Sequence, residues 1–144
     1  MRIYLDNCCF NRPFDDQKQI WIRLETEAKL DVQQKILQNK IELAWSYILD
    51  FENEMNPFEQ RRIAIRRWKE QAIIDTSETE EIIDRAKRFS QMGLRSKDAL
   101  HLSCAISMNC NYFLTTDDQL IKKASIINEI KVSDPTNFIR EGYE

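Results

Sequence analysis

The run Arg2-Ile-Tyr-Leu5 is short and β-favouring, and nothing in it alternates polar with apolar to leave one face in water. It reads as a central strand covered on both sides, so the rest of the chain has to supply helices above and below it. A near-helical spacing of Ile20, Leu24, Ala28, Val32 and Ile36 predicts a long helix from about Gln17 to Asn39, entered after a break at Asn11-Arg-Pro13. Ile41 to Trp45 predicts a second strand. Ser46 is the expected N-cap of a helix that stops before Pro57, because the residue preceding a proline disfavours helical geometry. Another helix runs from Glu59 to Gln71, and a short strand follows at Ile73 and Ile74.

Ser77-Glu-Thr-Glu80 has capping-box spacing ahead of Ile82, Ile83 and Ala86, in a helix expected to end near Gly93. Ser96 is the expected cap of the next helix, whose Ala99, Leu100, Leu102, Cys104, Ala105 and Ile106 are apolar almost all round, the mark of a helix buried in the core. Tyr112 to Leu114 predicts a strand and Thr116-Asp-Asp-Gln119 a second capping box, with Lys122 and Lys123 near that helix's C-terminal end. Ile130 to Val132 predicts a last strand. Short apolar runs alternating with helices define an α/β fold with a mainly parallel sheet and right-handed crossovers, and 144 residues without an internal repeat suit one domain, residues 1–144.

A net charge of -3 argues against nucleic-acid binding through global positive charge, so any such contact has to be local. No apolar run approaches the roughly 18 residues that span a bilayer, and the start lacks the pattern of a signal peptide, so no membrane is involved and the chain is expected in the cytoplasm. Cys8, Cys9, Cys104 and Cys110 include no Cys-x-x-Cys and the chain has a single His, which makes a zinc site a poor reading beside small buried thiols.

Four acids stand out. Asp6 follows the first strand, Glu52 lies on the helix after Ser46, and Asp98 and Asp117 fall in predicted first helical turns. Asp6, Asp98 and Asp117 each have a structural explanation as turn or dipole residues. Glu52 resists one: with Ile48, Phe51 and Met55 as the apolar face, it is the carboxylate turned inward, and a partly buried Glu needs a partner. In an α/β sheet the pocket lies outside the carboxyl ends of the strands, where Asp6 and Asp117 emerge. Two carboxylates about 6 Å apart repel by roughly 3 kcal/mol at an effective dielectric constant near 20, so convergence of all four calls for protonation or a cation. Mg²⁺ or Mn²⁺ fits best, since it takes oxygen ligands and shares them with phosphate.

Arg61, Arg62, Arg66, Arg67 and Lys69 on one helix read either as a solvated face, the favoured reading, or as a phosphate contact. Arg12, close to Asp6, is the better single phosphate-contact candidate. Trp68 reads as packing rather than base stacking, and His101 as a hydrogen-bonded wall residue rather than a proton shuttle.

Taken in order, Tyr-Leu-Asp6, Ser46 followed by Glu52, Lys97-Asp-Ala-Leu-His101 and Phe113-Leu-Thr-Thr-Asp117 resemble the four acidic motifs of the PIN-domain nucleases, which include the toxin ribonucleases of bacterial toxin-antitoxin pairs. The resemblance spans nearly the whole chain. It implies a three-layer α/β/α sandwich, one or two Mg²⁺ or Mn²⁺ ions held by Asp6, Asp98 and Asp117, Glu52 completing the shell or orienting water, and hydrolysis of mostly single-stranded RNA. It further implies a small antitoxin protein as partner and a homodimer. The first motif departs from the pattern: Asn7 and Cys8 stand where a Thr or Ser and a small polar residue are usual, and Asp118 adjoins Asp117 as a second candidate for the last acid. Asn7 partly replaces the missing hydrogen bonding. The departure motivates the alternative of a catalytically weak PIN-like module that binds RNA or protein. An acidic phosphotransfer domain fits less well, since no Asp-x-Asp follows the first strand and Glu52 is left unexplained.

Overall fold

In the computed structural model, which describes residues 1–141, strand β1 (Arg2–Leu5) lies at the centre of a five-stranded, all-parallel sheet. The single-domain expectation for residues 142–144 lies outside the described residues. Strand β2 (Glu42–Ser46) pairs with β1 on one side and carries β3 (Ala72–Thr76) beyond it. On the other side β1 pairs with β4 (Tyr112–Leu114), which carries β5 (Lys131–Ser133). The order β3-β2-β1-β4-β5 reverses direction between β1 and β4, and the sheet's ligand crevice belongs at that switch point.

Ile3, Tyr4 and Leu5 are fully buried, as the unbroken apolar run of β1 requires, and one contiguous core surrounds them. Helix α1 (Asn7–Asn11) is a single turn that the sequence pattern does not reveal, followed by a 3-10 turn at Arg12–Phe14. Helix α2 (Ile20–Leu37) starts three residues later than its apolar spacing suggests, because Asp16 takes the Lys18 amide in a turn and Gln17 bonds the carbonyls of Arg12 and Asp15. Ala28, Val32 and Ile36 are buried as expected, whereas Ile20 and Leu24 face outward.

Helix α3 (Tyr47–Glu54) is capped by Ser46, whose Oγ accepts the Leu49 amide at 3.4 Å. Helix α4 (Glu59–Lys69) follows, and its Trp68 packs partly buried against the core. Three expected caps are displaced. In α5 (Glu80–Gln91) the cap is Thr79 rather than Ser77, because β3 runs on to Thr76 and Thr79 Oγ1 is the group that meets the Ile82 amide at 3.2 Å. Gly93, at φ +104°, closes that helix as expected. In α6 (Ser96–Ser107) the cap position belongs to Arg95, whose carbonyl already accepts the Ala99 amide, so Ser96 is the first helical residue. In α7 (Asp118–Lys123) Asp117 replaces Thr116 as cap, a carboxylate oxygen being the stronger acceptor at a helix N-terminus. Helix α8 (Pro135–Arg140), capped by Asp134, packs on α2 and was not foreseen. Helices α5 and α6 pack together elsewhere on the sheet.

Candidate active site

Asp6 leaves β1 with its backbone amide on the Leu114 carbonyl, so the end of β1 is tied to the end of β4 across the switch point. Its side chain is an acceptor on both oxygens. Oδ1 takes the Asn7 amide at 2.8 Å and so caps α1, while Oδ2 takes the Thr115 hydroxyl at 2.8 Å and the Cys8 thiol at 3.5 Å. Cys8 therefore fills a hydrogen-bonding role: its sulfur also accepts the Thr116 amide at 3.3 Å, and Thr115 Oγ1 lies 3.4 Å away.

Asp6, Glu52, Asp98 and Asp117 line one cavity of about 480 Å³, together with Asn7, Cys8 and His101. Larger hollows lie elsewhere. One of about 570 Å³ beside Cys110 and Lys131 lacks such a gathering of acids. In one of about 870 Å³ lined by Glu80, Glu81, Asp84 and Glu129, the arginines Arg85 and Arg88 pair with Glu81 and Glu129, so chemistry rather than size locates the site. The expected convergence is thus met. Glu52 does face inward, although the apolar face assumed for α3 is wrong: Phe51 is 54% and Met55 71% exposed, and the helix packs through Ile48, Leu49 and Asn53. Glu52 follows Ile48 by four residues and shares its side.

The carboxylates feel one another. Burial first, then the charges of Asp6 and Asp117, push the Asp98 carboxyl above its usual value, against the pull of His101 and Arg95. Glu52 moves the other way: burial raises it, but its hydrogen bond with His101 and the charges of His101 and Lys97 leave it lowered. Burial opposes a charge on His101, yet the Glu52 hydrogen bond and the charges of Asp6, Glu52 and Asp98 leave its pKa raised. His101 is 1% exposed and its Nε2 contacts Glu52 Oε1, so it is both a hydrogen-bonded wall residue and a member of the site.

Whether these residues suit a hard divalent cation turns on one atom. Asn7 lines this cavity and its Oδ1 is buried with no hydrogen-bond partner, and a buried acceptor left bare is costly unless something else approaches it. Asp6, Asp98 and Asp117 line the same cavity and offer oxygen donors, which suit Mg²⁺ or Mn²⁺. Asp6, Glu52 and His101 also bring one ligand atom each within 4.8 Å of one another.

Two candidates lie elsewhere. Arg12 does not line the cavity; its Nη1 pairs with Asp15 at 2.9 Å and its Nε with Glu25 at 3.2 Å, fastening the turn after α1 to α2. Asp118 is the first residue of α7 and does not line it either. Of the α4 cations, Arg61 is held by Asp15 and the Phe14 carbonyl, and Lys69 by Asp50, in line with the structural reading. The cations that do line the cavity are Arg95 and Lys97, which the sequence reading passed over. A signal was there: both sit at the positive end of α6, where the helix dipole disfavours them.

A doubly wound parallel domain with an acid-lined pocket at its switch point, furnished with oxygen donors for a hard cation, defines the class. The PIN domain profile matches residues 3–126, and the chain belongs to that family of nucleases. Solved structures share the fold at low identity. FitAcB from Neisseria gonorrhoeae matches with a TM-score of 0.60 and 14% identity over 92% of this chain and 97% of that one. VapBC-1 from nontypeable Haemophilus influenzae gives 0.64 and 17% over 94% and 99%. VapBC2 from Rickettsia felis, bound to a DNA fragment from its promoter, gives 0.59 and 14% over 93% and 98%. No curated protein matches the chain in sequence.

Proposed function

We propose that this chain is a Mg²⁺- or Mn²⁺-dependent endoribonuclease that hydrolyses phosphodiester bonds of mostly single-stranded RNA in the cytoplasm, as the toxin of a toxin-antitoxin pair. The observation that carries the reading is the gathering of Asp6, Glu52, Asp98 and Asp117 around one cavity with the bare Asn7 Oδ1. Asp6, Asp98 and Asp117 hold the cation, with Asn7 as a further oxygen donor. When bound, the cation supplies Lewis acidity toward a phosphoryl oxygen and offsets charge developing at phosphorus. Glu52 completes the shell or accepts a proton from the water that attacks phosphorus. Arg95 and Lys97 hold neighbouring phosphates at the rim, the local positive charge that a net acidic chain requires.

The antitoxin partner is supported by the surface. Ile20, Trp21 and Leu24 lie exposed on α2, Phe51, Met55 and Phe58 on and after α3, and Arg61 bridges toward them by stacking on Phe14 and Phe58. So many large exposed apolar side chains suit a protein partner, the place an antitoxin would take in the toxin-antitoxin reading.

Purified protein is expected to cut a single-stranded RNA with Mn²⁺, to stop with EDTA, and to lose cleavage on Asp6→Asn or Asp98→Asn. Specific RNA binding without metal-dependent cleavage would instead favour the catalytically weak module, for which the Cys8 substitution is the motive.

A further inference from the structure

Behind Glu52 runs a buried polar chain contributed by three elements. Tyr4 on β1 and Ser46 at the end of β2 are fully buried, and the Tyr4 hydroxyl lies 2.6 Å from Ser46 Oγ and 2.5 Å from His101 Nδ1. The other ring nitrogen of His101, Nε2, contacts Glu52 Oε1. The Tyr4 ring is itself fixed, stacked on Phe113 with centroids 5.2 Å apart and meeting the His101 ring edge-on at 5.6 Å.

The chain is satisfied when Ser46 donates to Tyr4, Tyr4 to Nδ1 and Nε2-H to Glu52, and equally when an imidazolium donates from Nδ1 to Tyr4 and from Nε2 to Glu52 with Tyr4 donating to Ser46. Both nitrogens of His101 are then engaged, and no lone pair remains for a cation. Asp6 Oδ1 lies 3.9 Å from Nε2, beyond hydrogen-bond distance, so the imidazole serves Glu52 and leaves Asp6 to its own partners. A buried polar chain costs stability relative to an apolar one of the same shape, and this one ends at the cavity on a single carboxylate.

We propose that His101 is a positioning residue of the active site: braced by Tyr4 and Ser46, it engages Glu52 Oε1 and so turns the remaining oxygen toward the attacking water rather than into the cation's ligand set. This deepens the ribonuclease reading by choosing between the two roles left to Glu52, and its cleavage arms rest on that reading.

The test measures Mn²⁺ affinity by calorimetry and single-turnover cleavage of a labelled single-stranded RNA, with thermal melting to confirm folding. Glu52→Gln and His101→Ala are each expected to keep Mn²⁺ affinity within about threefold of the unaltered protein while cleavage falls about 10- to 100-fold, the usual effect of losing a group that orients a site. Asp98→Asn instead lowers Mn²⁺ affinity more than about tenfold. His101→Gln, whose side-chain amide reaches the place of Nε2, recovers most of the cleavage, and the Glu52→Gln/His101→Ala double variant is no slower than Glu52→Gln alone, because the two act as one unit. A loss of Mn²⁺ affinity in Glu52→Gln as large as in Asp98→Asn makes Glu52 a ligand and overturns the proposal, as does a double variant whose losses compound. If His101→Ala does not melt cooperatively, Tyr4→Phe carries the same test, with a lower kcat at unchanged KM expected and an unchanged kcat against it. If the unaltered protein cuts no RNA the ribonuclease reading falls, while the Mn²⁺ comparison of Glu52→Gln with Asp98→Asn still decides the role of Glu52.

Discussion

Lys29 is 3% exposed on α2, its ammonium 5.3 Å from the centre of the Phe10 ring and 5.8 Å from that of Trp68. Burial pulls its pKa from 10.5 down to about 7, with Cys9 opposing. At about 1.4 kcal/mol per pKa unit, burying the charged amine costs about 5 kcal/mol relative to the neutral one. The folded pKa is the lower of the two, so between pH 7 and 10.5 the unfolded chain binds more protons, and stability from this group rises with pH across that window. Lys29→Met, of similar length and without a charge, removes the dependence. Its titration advantage over Lys29 is about 4 kcal/mol at pH 7 and about 2 kcal/mol at pH 9. Lost cation-π contact, up to about 2 kcal/mol when desolvated, reduces the absolute gain, so the change in the gap between the two pH values is the quantity to measure. Urea unfolding of both proteins under reducing conditions at pH 7 and pH 9 should show the gap narrowing by about 2 kcal/mol. The buried Cys104 and Cys110 thiols, each pushed up to about 12, are common to both proteins and cancel. A gap that does not change with pH would mean that the Lys29 ammonium reaches water or an anion, and the reasoning would fail.

Mn²⁺ at about 100 times its Kd should add roughly 2.7 kcal/mol of stability, a rise in Tm of about 5 to 10 °C by scanning fluorimetry that Asp98→Asn abolishes. Asp98→Asn should itself be more stable than the unaltered protein without metal, since it removes a carboxylate destabilised by burial and by Asp6 and Asp117; equal or lower stability counts against the repulsion. Trp21→Glu, at a side chain 74% exposed, should leave Tm within about 2 °C and RNA cleavage unchanged but break co-purification with the antitoxin; persistent association would place the partner on another face. Arg12→Ala should cost about 1 to 2 kcal/mol through its pairs with Asp15 and Glu25 and leave RNA affinity alone, whereas Arg95→Ala should weaken RNA binding and reduce its salt slope by about one. The opposite pattern would return the phosphate contact to Arg12.

The sheet was legible because burial on both faces leaves a local mark: an unbroken apolar run such as Ile3-Tyr-Leu5 has few alternatives to a central parallel strand. Cap positions were not, because Ser77 and Thr79, or Thr116 and Asp117, are all good capping residues within two positions of each other. The choice falls to where the preceding strand stops, which long-range pairing sets. Helix α1 is too short for a period to show, and it is set by Asp6, whose carboxylate takes the Asn7 amide and whose backbone carbonyl takes the Cys9 amide. His101 illustrates the same limit at the site: its neighbours along α6 are apolar, and the groups that define its role, Tyr4 and Glu52, are 97 and 49 residues away.

Capping a helix and holding a cation are not exclusive roles for one carboxylate. A carboxylate has two oxygens and several lone pairs, and a cap uses only part of them. Asp117 accepts the Gln119 and Leu120 amides on Oδ1 alone, and Asp6 caps α1 through Oδ1 while lining the cavity. The cap leaves other lone pairs of the carboxylate uncommitted to the helix, so a capping role is compatible with the proposed metal-binding one. Glu52, which caps nothing, has no such local restraint, and this is why its orientation depends on a buried chain reaching back through His101 to β1.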